Sequence, residues 1–315
     1  MSEEVKEAIM KARPNLKPNT IKMYLFNLNK LKKTFDKEDL KFLSDVEEVT
    51  DKIKHLHFTT QRNFYNAIIV YLRATDPDNK DIDKYDKIRN ELNEQYKTEN
   101  EKGTISTKQS GNFVDIEVLR GMLKKMEQEI KDQKLKKKET LSPKEKTLIQ
   151  VFTIYSILLK IPLRNDLAGM SVISKTQYNK LTQKEKEDGN YLVNYKNKLE
   201  FVLNEYKTSK KYNEKIISID KDLEKIIRMY LRKNEGSVLF TSSTGKPYTR
   251  NALSQLLLKT SQKYLGKNIS TTMIRKIVLS DLFADNKKKQ QEMAEITGHS
   301  VSTMNNVYVK EKAEE

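Results

Sequence analysis

The sequence predicts a mainly α-helical chain with a small antiparallel β-sheet, built as an N-terminal helical domain and a second, α+β domain. Three observations carry this reading. Apolar residues recur at helical spacing in four successive segments of the first hundred residues. A polar, glycine-punctuated stretch without periodicity, KTENEKGTISTKQSGN, follows them. Between residues 191 and 220 the period changes from helical to strand-like. At 315 residues the chain is long enough for two cores. The expected division is a first domain at 1–98, a linker at 99–112 and a second domain at 113–315.

In the first domain, Asn19 and Thr20 form a capping pair ahead of Ile21, Tyr24, Leu25, Leu28, Leu31 and Phe35, one apolar helical face. The pattern repeats in Phe42, Leu43, Val46, Val49 and Ile53, in Phe64, Tyr65, Ile68, Ile69 and Leu72, and in Ile82, Ile88 and Leu92. Breaks fall near residues 34–36, 55–59 and 76–79, and four such helices make a small bundle. His55 and His57 lie in one break without a third ligand and read as loop residues. In DPDNKDID, Lys80 and Asp81 stand where a calcium loop needs an oxygen ligand and a turn glycine, so calcium is rejected.

The second domain opens with a helix through Ile116, Leu119, Met122, Leu123 and Met126 and a charged loop at 131–140. TLIQVFTIYSILLKIPLR has almost no polar face, which marks a helix at the centre of a core; Pro162 ends it, and Arg164 follows. YLVNYK, LEFVLNEYK and NEKIISID read as three strands, and the turn between the last two carries Lys207. A helix from Leu223, a strand and turn in VLFTSSTGKPYTR and a helix from Ala252 lead to residues 270–310, read as three short helices. There Met273, Ile274, Val278, Leu282 and Phe283 mark one apolar face, Met293 and Ile296 a second; Gly298 is a stop, and Ser302 and Thr303 start the last helix.

Sixty Lys and Arg against 44 Asp and Glu leave a net charge of +16, which favours a polyanionic partner such as double-stranded DNA over a neutral or acidic one. A solvated lysine-rich surface is the plainer explanation of the same charge. With no cysteine, disulfides, thiolate catalysis and cysteine-ligated zinc are excluded. No apolar run is long enough to span a membrane and the start is acidic and polar, so a soluble, intracellular protein without a membrane partner is expected, in cytoplasm, nucleoid or nucleus. Lys17, Lys22, Arg62 and Arg73 on the polar faces of the bundle, with Lys246 and Arg250 in the second domain, are candidate DNA contacts. Gly245-Lys246 lacks the glycine spacing of a phosphate loop, so no nucleotide site is assigned to it.

Three residue types needed for covalent attack on a phosphate gather near the C-terminus: the guanidinium of Arg275, the imidazole of His299 and the phenol of Tyr308. Arg164, set where a buried helix ends, offers a rigidly held fork for phosphate oxygens; its alternative is a structural pair with Asp166. Lys207 on its turn can project into a groove, or simply be solvated.

In order, Arg164, Lys207, Arg275 in TTMIRK, the GHS box at 298–300 and Tyr308 nine residues after His299 resemble the tyrosine recombinases, or phage-type integrases. EITGHSVSTMNNVY and LFTSSTGKPYTRNALSQLL carry the most specific likeness. The resemblance implies a helical core-binding domain, SAM-like, followed by a catalytic domain. It also implies site-specific recombination of DNA through a 3′-phosphotyrosine intermediate, by a homo-tetramer on paired sites, without cofactor, metal or ATP. By the same resemblance the catalytic set is Tyr308, Arg164, Arg275, His299, Lys207 and Thr272, and the protein can belong to a virus or mobile element acting in its host. Thr272 stands where the family usually has histidine; its hydroxyl can bond a phosphate oxygen but cannot shuttle a proton near neutral pH. Asp166 is one place closer to the first arginine than is usual, and seven residues follow Tyr308 where many members have a longer tail that docks into the next protomer. Two other readings stand beside this one: a type IB topoisomerase, and a DNA-binding accessory protein without cleavage activity, for which Thr272 is the motive.

Overall fold

The computed structural model describes residues 3–234 and 236–309, except the side chains of Thr107 and Lys108. Two compact units, Met1–Ile105 and Ser106–Glu315, divide the chain. The last part of the segment after Tyr308, residues 310–315, lies outside the described residues.

Among its described residues the first unit holds five α-helices, α1 (Glu3–Ala12), α2 (Pro18–Phe35), α3 (Val46–Ile53), α4 (Phe58–Thr75) and α5 (Asp81–Glu101), and a 3-10 turn at Lys41–Ser44. Asn19 and Thr20 do not cap α2. Pro18 takes the first helical position, where its missing N–H costs nothing, and puts both inside the first turn. Helix α4 packs against α1, α2 and α5, and its Phe64, Tyr65, Ala67 and Ile68 are fully buried. Two buried phenols tie the bundle together: the Tyr85 hydroxyl donates to the Leu43 carbonyl at 2.8 Å and that of Tyr65 to Thr50 Oγ1 at 3.2 Å. His57 caps α4, its Nδ1 accepting from the Thr59 N–H at 3.3 Å. The stretch expected to be an irregular linker is partly helical. Helix α5 runs on to Glu101 and is ended by Gly103, whose φ of 68° lies where other residues are strained. A helical turn, α6 (Thr107–Ser110), follows.

The second unit is built around α8 (Pro143–Lys160), which packs against α7 (Ile116–Asp132), α12 (Lys221–Leu231), α13 (Arg250–Leu265) and α14 (Thr271–Thr297). A capping box starts α8: Ser142 Oγ accepts from the Glu145 N–H while Glu145 Oε2 accepts from the Ser142 N–H at 2.7 Å. Ten consecutive residues from Ile149 to Leu158 are buried, so its few polar groups must be satisfied internally. The Tyr155 hydroxyl donates to the Leu257 carbonyl at 2.9 Å, and Gln150 Oε1 accepts from the Tyr230 hydroxyl at 3.0 Å and the Thr241 N–H at 3.2 Å.

The sheet has four strands in the order β1 (Ser171–Ser174), β2 (Asn190–Asn194), β3 (Leu199–Leu203) and β4 (Lys215–Ser218). The three expected strands form an antiparallel meander, with Leu192 opposite Phe201 and Phe201 opposite Ile217. Strand β1 was not anticipated and pairs parallel to β2, which the intervening helices α9 (Lys175–Lys180) and α10 (Gln183–Glu187) make possible as a crossover. Leu192, Leu199, Phe201 and Leu203 join the main core, and Tyr191, Val193 and Val202 pack with Tyr178 of α9 on the other face. Residues 238–247 contribute isolated bridges rather than a strand.

Residues 270–310 depart most from expectation. A single 27-residue helix, α14, replaces the first two of the three short helices. The polar run DNKKKQQ between the two apolar groups contains no proline or glycine and continues the helix. Gly298 ends α14 in the left-handed region as expected. Ser300, rather than Ser302 or Thr303, caps the short α15 (Val301–Thr303), and a π-helical turn, Met304–Tyr308, completes the described chain. No helix among the described residues is long and apolar enough to cross a membrane.

Candidate active site

Arg164 lies just beyond the end of α8, in the loop that Pro162 forces out of the helix, and is exposed. Arg275 projects from the second turn of α14, and its Nε donates to the Pro162 carbonyl at 2.7 Å. The end of α8 thus fixes one guanidinium directly and carries the other. Asn165 Oδ1 accepts from the Thr271 hydroxyl at 2.5 Å and links the same loop to the start of α14. No hydrogen bond among the described residues occupies the terminal nitrogens of Arg275. Thr272 is exposed three residues before Arg275, on the same helical face.

Asp166 is buried between these arginines and a third. Arg250, the first residue of α13, approaches Asp166 Oδ1 at 3.7 Å and Glu205 Oε1 at 3.2 Å. Burial pushes the Asp166 carboxyl above its usual range, and the charges of Arg250, Arg164 and Arg275 pull it back. Burial, then the neighbouring Arg164, lowers the pKa of Arg275, and Asp166 opposes them. The Asp166 carboxylate therefore serves three arginines and is not a private partner of Arg164.

Lys207 is exposed at the base of the β3–β4 excursion and makes no hydrogen bond or ion pair among the described residues. The excursion is not a tight hairpin turn. It contains a helical turn, α11 (Ser209–Tyr212), and is closed by the buried Tyr206, whose hydroxyl donates to the Asn213 carbonyl at 2.7 Å.

The two C-terminal groups stand apart from this cluster. The rings of His299 and Tyr308 stack on each other with centroids 4.9 Å apart, and Tyr308 is 60% exposed. Neither makes a hydrogen bond, ion pair or ring contact with Arg164 or Arg275 among the described residues. A helix rises about 1.5 Å per residue, so Thr297 at the end of α14, 22 positions after Arg275, lies about 33 Å along the helix axis from it; beyond Gly298 the chain turns back, and Asn305 Nδ2 donates to Gln290 Oε1 at 3.5 Å. The expected compact unit of guanidinium, imidazole and phenol is therefore two separate pieces.

Of the candidate DNA contacts, Lys17, Lys22 and Lys246 are exposed. Arg62 lies over the Tyr96 ring at 4.0 Å, Arg73 pairs with Asp86, which also holds Arg89, and Arg250 is engaged as described. Among the described residues no group of three or more His, Asp or Glu is placed to hold a metal ion.

No family model matches the sequence, and no curated protein matches it. Among solved structures the chain is similar to the XerH site-specific recombinase bound to difH substrate in a pre-cleavage complex, with 17% identity, 99% of this chain and 81% of that chain covered, and a TM-score of 0.49. The XerH post-cleavage complex on palindromic difH gives 17% identity, 99% and 82% coverage and the same TM-score. The XerA recombinase gives 13% identity, 97% and 92% coverage and a TM-score of 0.35.

Proposed function

We propose that this chain is a site-specific tyrosine recombinase acting on double-stranded DNA. The observation that carries the reading is the paired setting of Arg164 and Arg275, the first carried on the loop after α8, the second held to that loop, and both near buried Asp166. Two guanidiniums, one carried on the loop after α8 and the other held to that loop's Pro162 carbonyl, suit the non-bridging oxygens of a phosphate as negative charge builds on it.

In the proposed reaction the Tyr308 oxygen bonds to phosphorus and its proton passes to solvent. Arg164 and Arg275 clamp the non-bridging oxygens, with hydrogen bonds from His299 and the Thr272 hydroxyl. Lys207 gives a proton to the 5′ oxygen as the phosphorus–oxygen bond breaks. The product is a 3′-phosphotyrosyl link and a free 5′ hydroxyl. That link conserves the energy of the diester, so rejoining by the reverse attack needs neither ATP nor a metal ion.

The continuous α14 favours delivery of Tyr308 to another copy of the chain, within a homo-tetramer on paired sites. Tyr308 follows a helix that ends 22 positions beyond Arg275, and it makes no hydrogen bond, ion pair or ring contact with Arg164 or Arg275 among the described residues. The test is a nicked suicide duplex drawn from repeats of the encoding genome. Wild type should form a 3′-linked covalent adduct, and Tyr308→Phe should bind the duplex and form none. Binding without an adduct in wild type would favour the accessory-protein reading, with Thr272 as its cause.

A further inference from the structure

Asn190 is a buried side chain to which the proposed chemistry gives no part, and it is fully engaged. Its Nδ2 donates to the Asp166 carbonyl at 3.1 Å and to the Glu205 carbonyl at 3.0 Å. Its Oδ1 accepts from the Asn204 N–H at 3.0 Å and the Glu205 N–H at 2.9 Å. One amide thus joins two backbone segments far apart in sequence: the loop that carries Arg164, and the end of β3, two residues before Lys207. Arg250 closes the same junction from its exposed side, with Nη2 donating to the Glu205 carbonyl at 3.0 Å and facing Asp166 Oδ1 at 3.7 Å.

Four bonds from a side chain that is 6% exposed are more than burial requires. A strand could begin with any residue that completes its ladder. Only a group with paired donors and paired acceptors on one planar unit can hold both the 166 carbonyl and the 204–205 backbone at once. Lys207 then leaves from a fixed origin: Glu205 is pinned by Asn190 and Arg250, and the Tyr206 ring is buried with its hydroxyl bonded across the excursion. The lysine side chain is free, yet its Cα is registered to the Arg164 loop.

We infer that Asn190, with Arg250, is a positioning residue that locks the Arg164 loop to the base of the Lys207 excursion and so sets where the proton donor stands relative to the arginines. This rests on the proposed cleavage reaction. Misplacing a catalytic group by about 1 Å can cost on the order of a hundredfold in rate.

The test compares two suicide duplexes, one with the ordinary scissile phosphate and one with sulfur replacing the 5′-bridging oxygen. Sulfur departs as a thiolate and needs no proton, so the second duplex bypasses the lysine. On the oxygen duplex, Lys207→Ala should form adduct about 10²–10⁴-fold more slowly and Asn190→Ala about 10–100-fold more slowly. On the sulfur duplex both should approach the wild-type rate. Equal loss on both duplexes by a folded Asn190→Ala, or no loss on either, overturns the inference. Should Asn190→Ala not fold, Asn190→Asp, which keeps the oxygen acceptor and loses both Nδ2 donors, carries the comparison: loss confined to the oxygen duplex supports the lock, and any other pattern overturns it. Amide exchange separates this inference from the cleavage reading. If wild type cuts neither duplex, the cleavage reading falls. Slow exchange at Asn204 and Glu205 that becomes fast in Asn190→Ala would still support the lock, and unchanged exchange would remove it too.

Discussion

The two ends of α14 share one helix and little else. Its first two turns are built into the second unit: Met273, Ile274, Ile277 and Val278 are buried, and Arg275 is fixed to the end of α8. Beyond them Leu282, Phe283, Met293 and Ile296 are 50–76% exposed, and the His299–Tyr308 stack past the end of the helix makes no hydrogen bond, ion pair or ring contact with Arg164 or Arg275 among the described residues. Phosphate-binding groups gain from rigidity, because a donor already in place costs no reorganisation when charge develops. A nucleophile that must enter another protein's site has to leave its own surface. Under the proposed reaction the comparison would separate a receiving site from a delivered reagent.

The strongest way to break that comparison is to divide the two ends between chains. Tyr308→Phe alone and Arg275→Ala alone should each lose the covalent adduct. Mixed in equal amounts on one paired-site duplex, they should recover it, the intact tyrosine of one entering the intact arginine site of the other. Continued absence from the mixture, with both variants bound, would place both groups in one copy. Next in size, Arg275→Ala assayed alone should slow single-turnover cleavage about 10²–10³-fold, the loss typical of one preorganised donor.

The third prediction measures packing. Ile274→Ala should destabilise the second unit by about 2–5 kcal/mol in urea unfolding, because it empties a fully buried site. Phe283→Ser, nine residues along the same helix and 56% exposed, should stay within about 0.5 kcal/mol of wild type. Comparable losses would mean that the far end is also packed.

The smallest effect concerns the start of α8. Lys138, then the Ser142 backbone and side chain, hold Glu145 down to about 2. A carboxyl depressed in the folded state stabilises above its ordinary pKa of about 4.5, and that contribution is lost as pH falls toward about 2. The urea midpoint of wild type should exceed that of Glu145→Gln at pH 6, and the two should converge as pH approaches about 2. A constant gap would assign the difference to packing.

This contrast also shows what the sequence could and could not reveal. Periodicity found α2, α4, α7 and α8 because each buries one stripe or its whole circumference, and Pro162 marked the end of α8, while the capping box at its start was found only in the structure. It also assigned Leu282, Phe283, Met293 and Ile296 to packed faces. Spacing records that a face is apolar, not whether anything covers it. A polar run without glycine or proline gave no chemical reason for a break, and α14 passes through it. Strand β1, only four residues long, pairs with a partner that two short helices bring back, and no local signal announces such a pairing. At the site, Arg164 and Arg275 were legible from their context. Asn190 was not: after Asp188-Gly189 it reads as a turn residue, and only the fold shows its amide spanning two loops.

Around Asp166 three guanidiniums, those of Arg164, Arg250 and Arg275, meet two carboxylates, those of Asp166 and Glu205. One positive charge is left over, which is the charge of a single internal phosphodiester with its sign reversed. An interior linkage of a DNA strand would bring the cluster to neutrality, whereas a terminal phosphate, close to doubly ionised at pH 7, would overshoot it. Length-matched oligonucleotides with and without a 5′ phosphate should therefore compete equally for the site. The cluster's valence would thus select an unbroken strand over a strand end before any base is read.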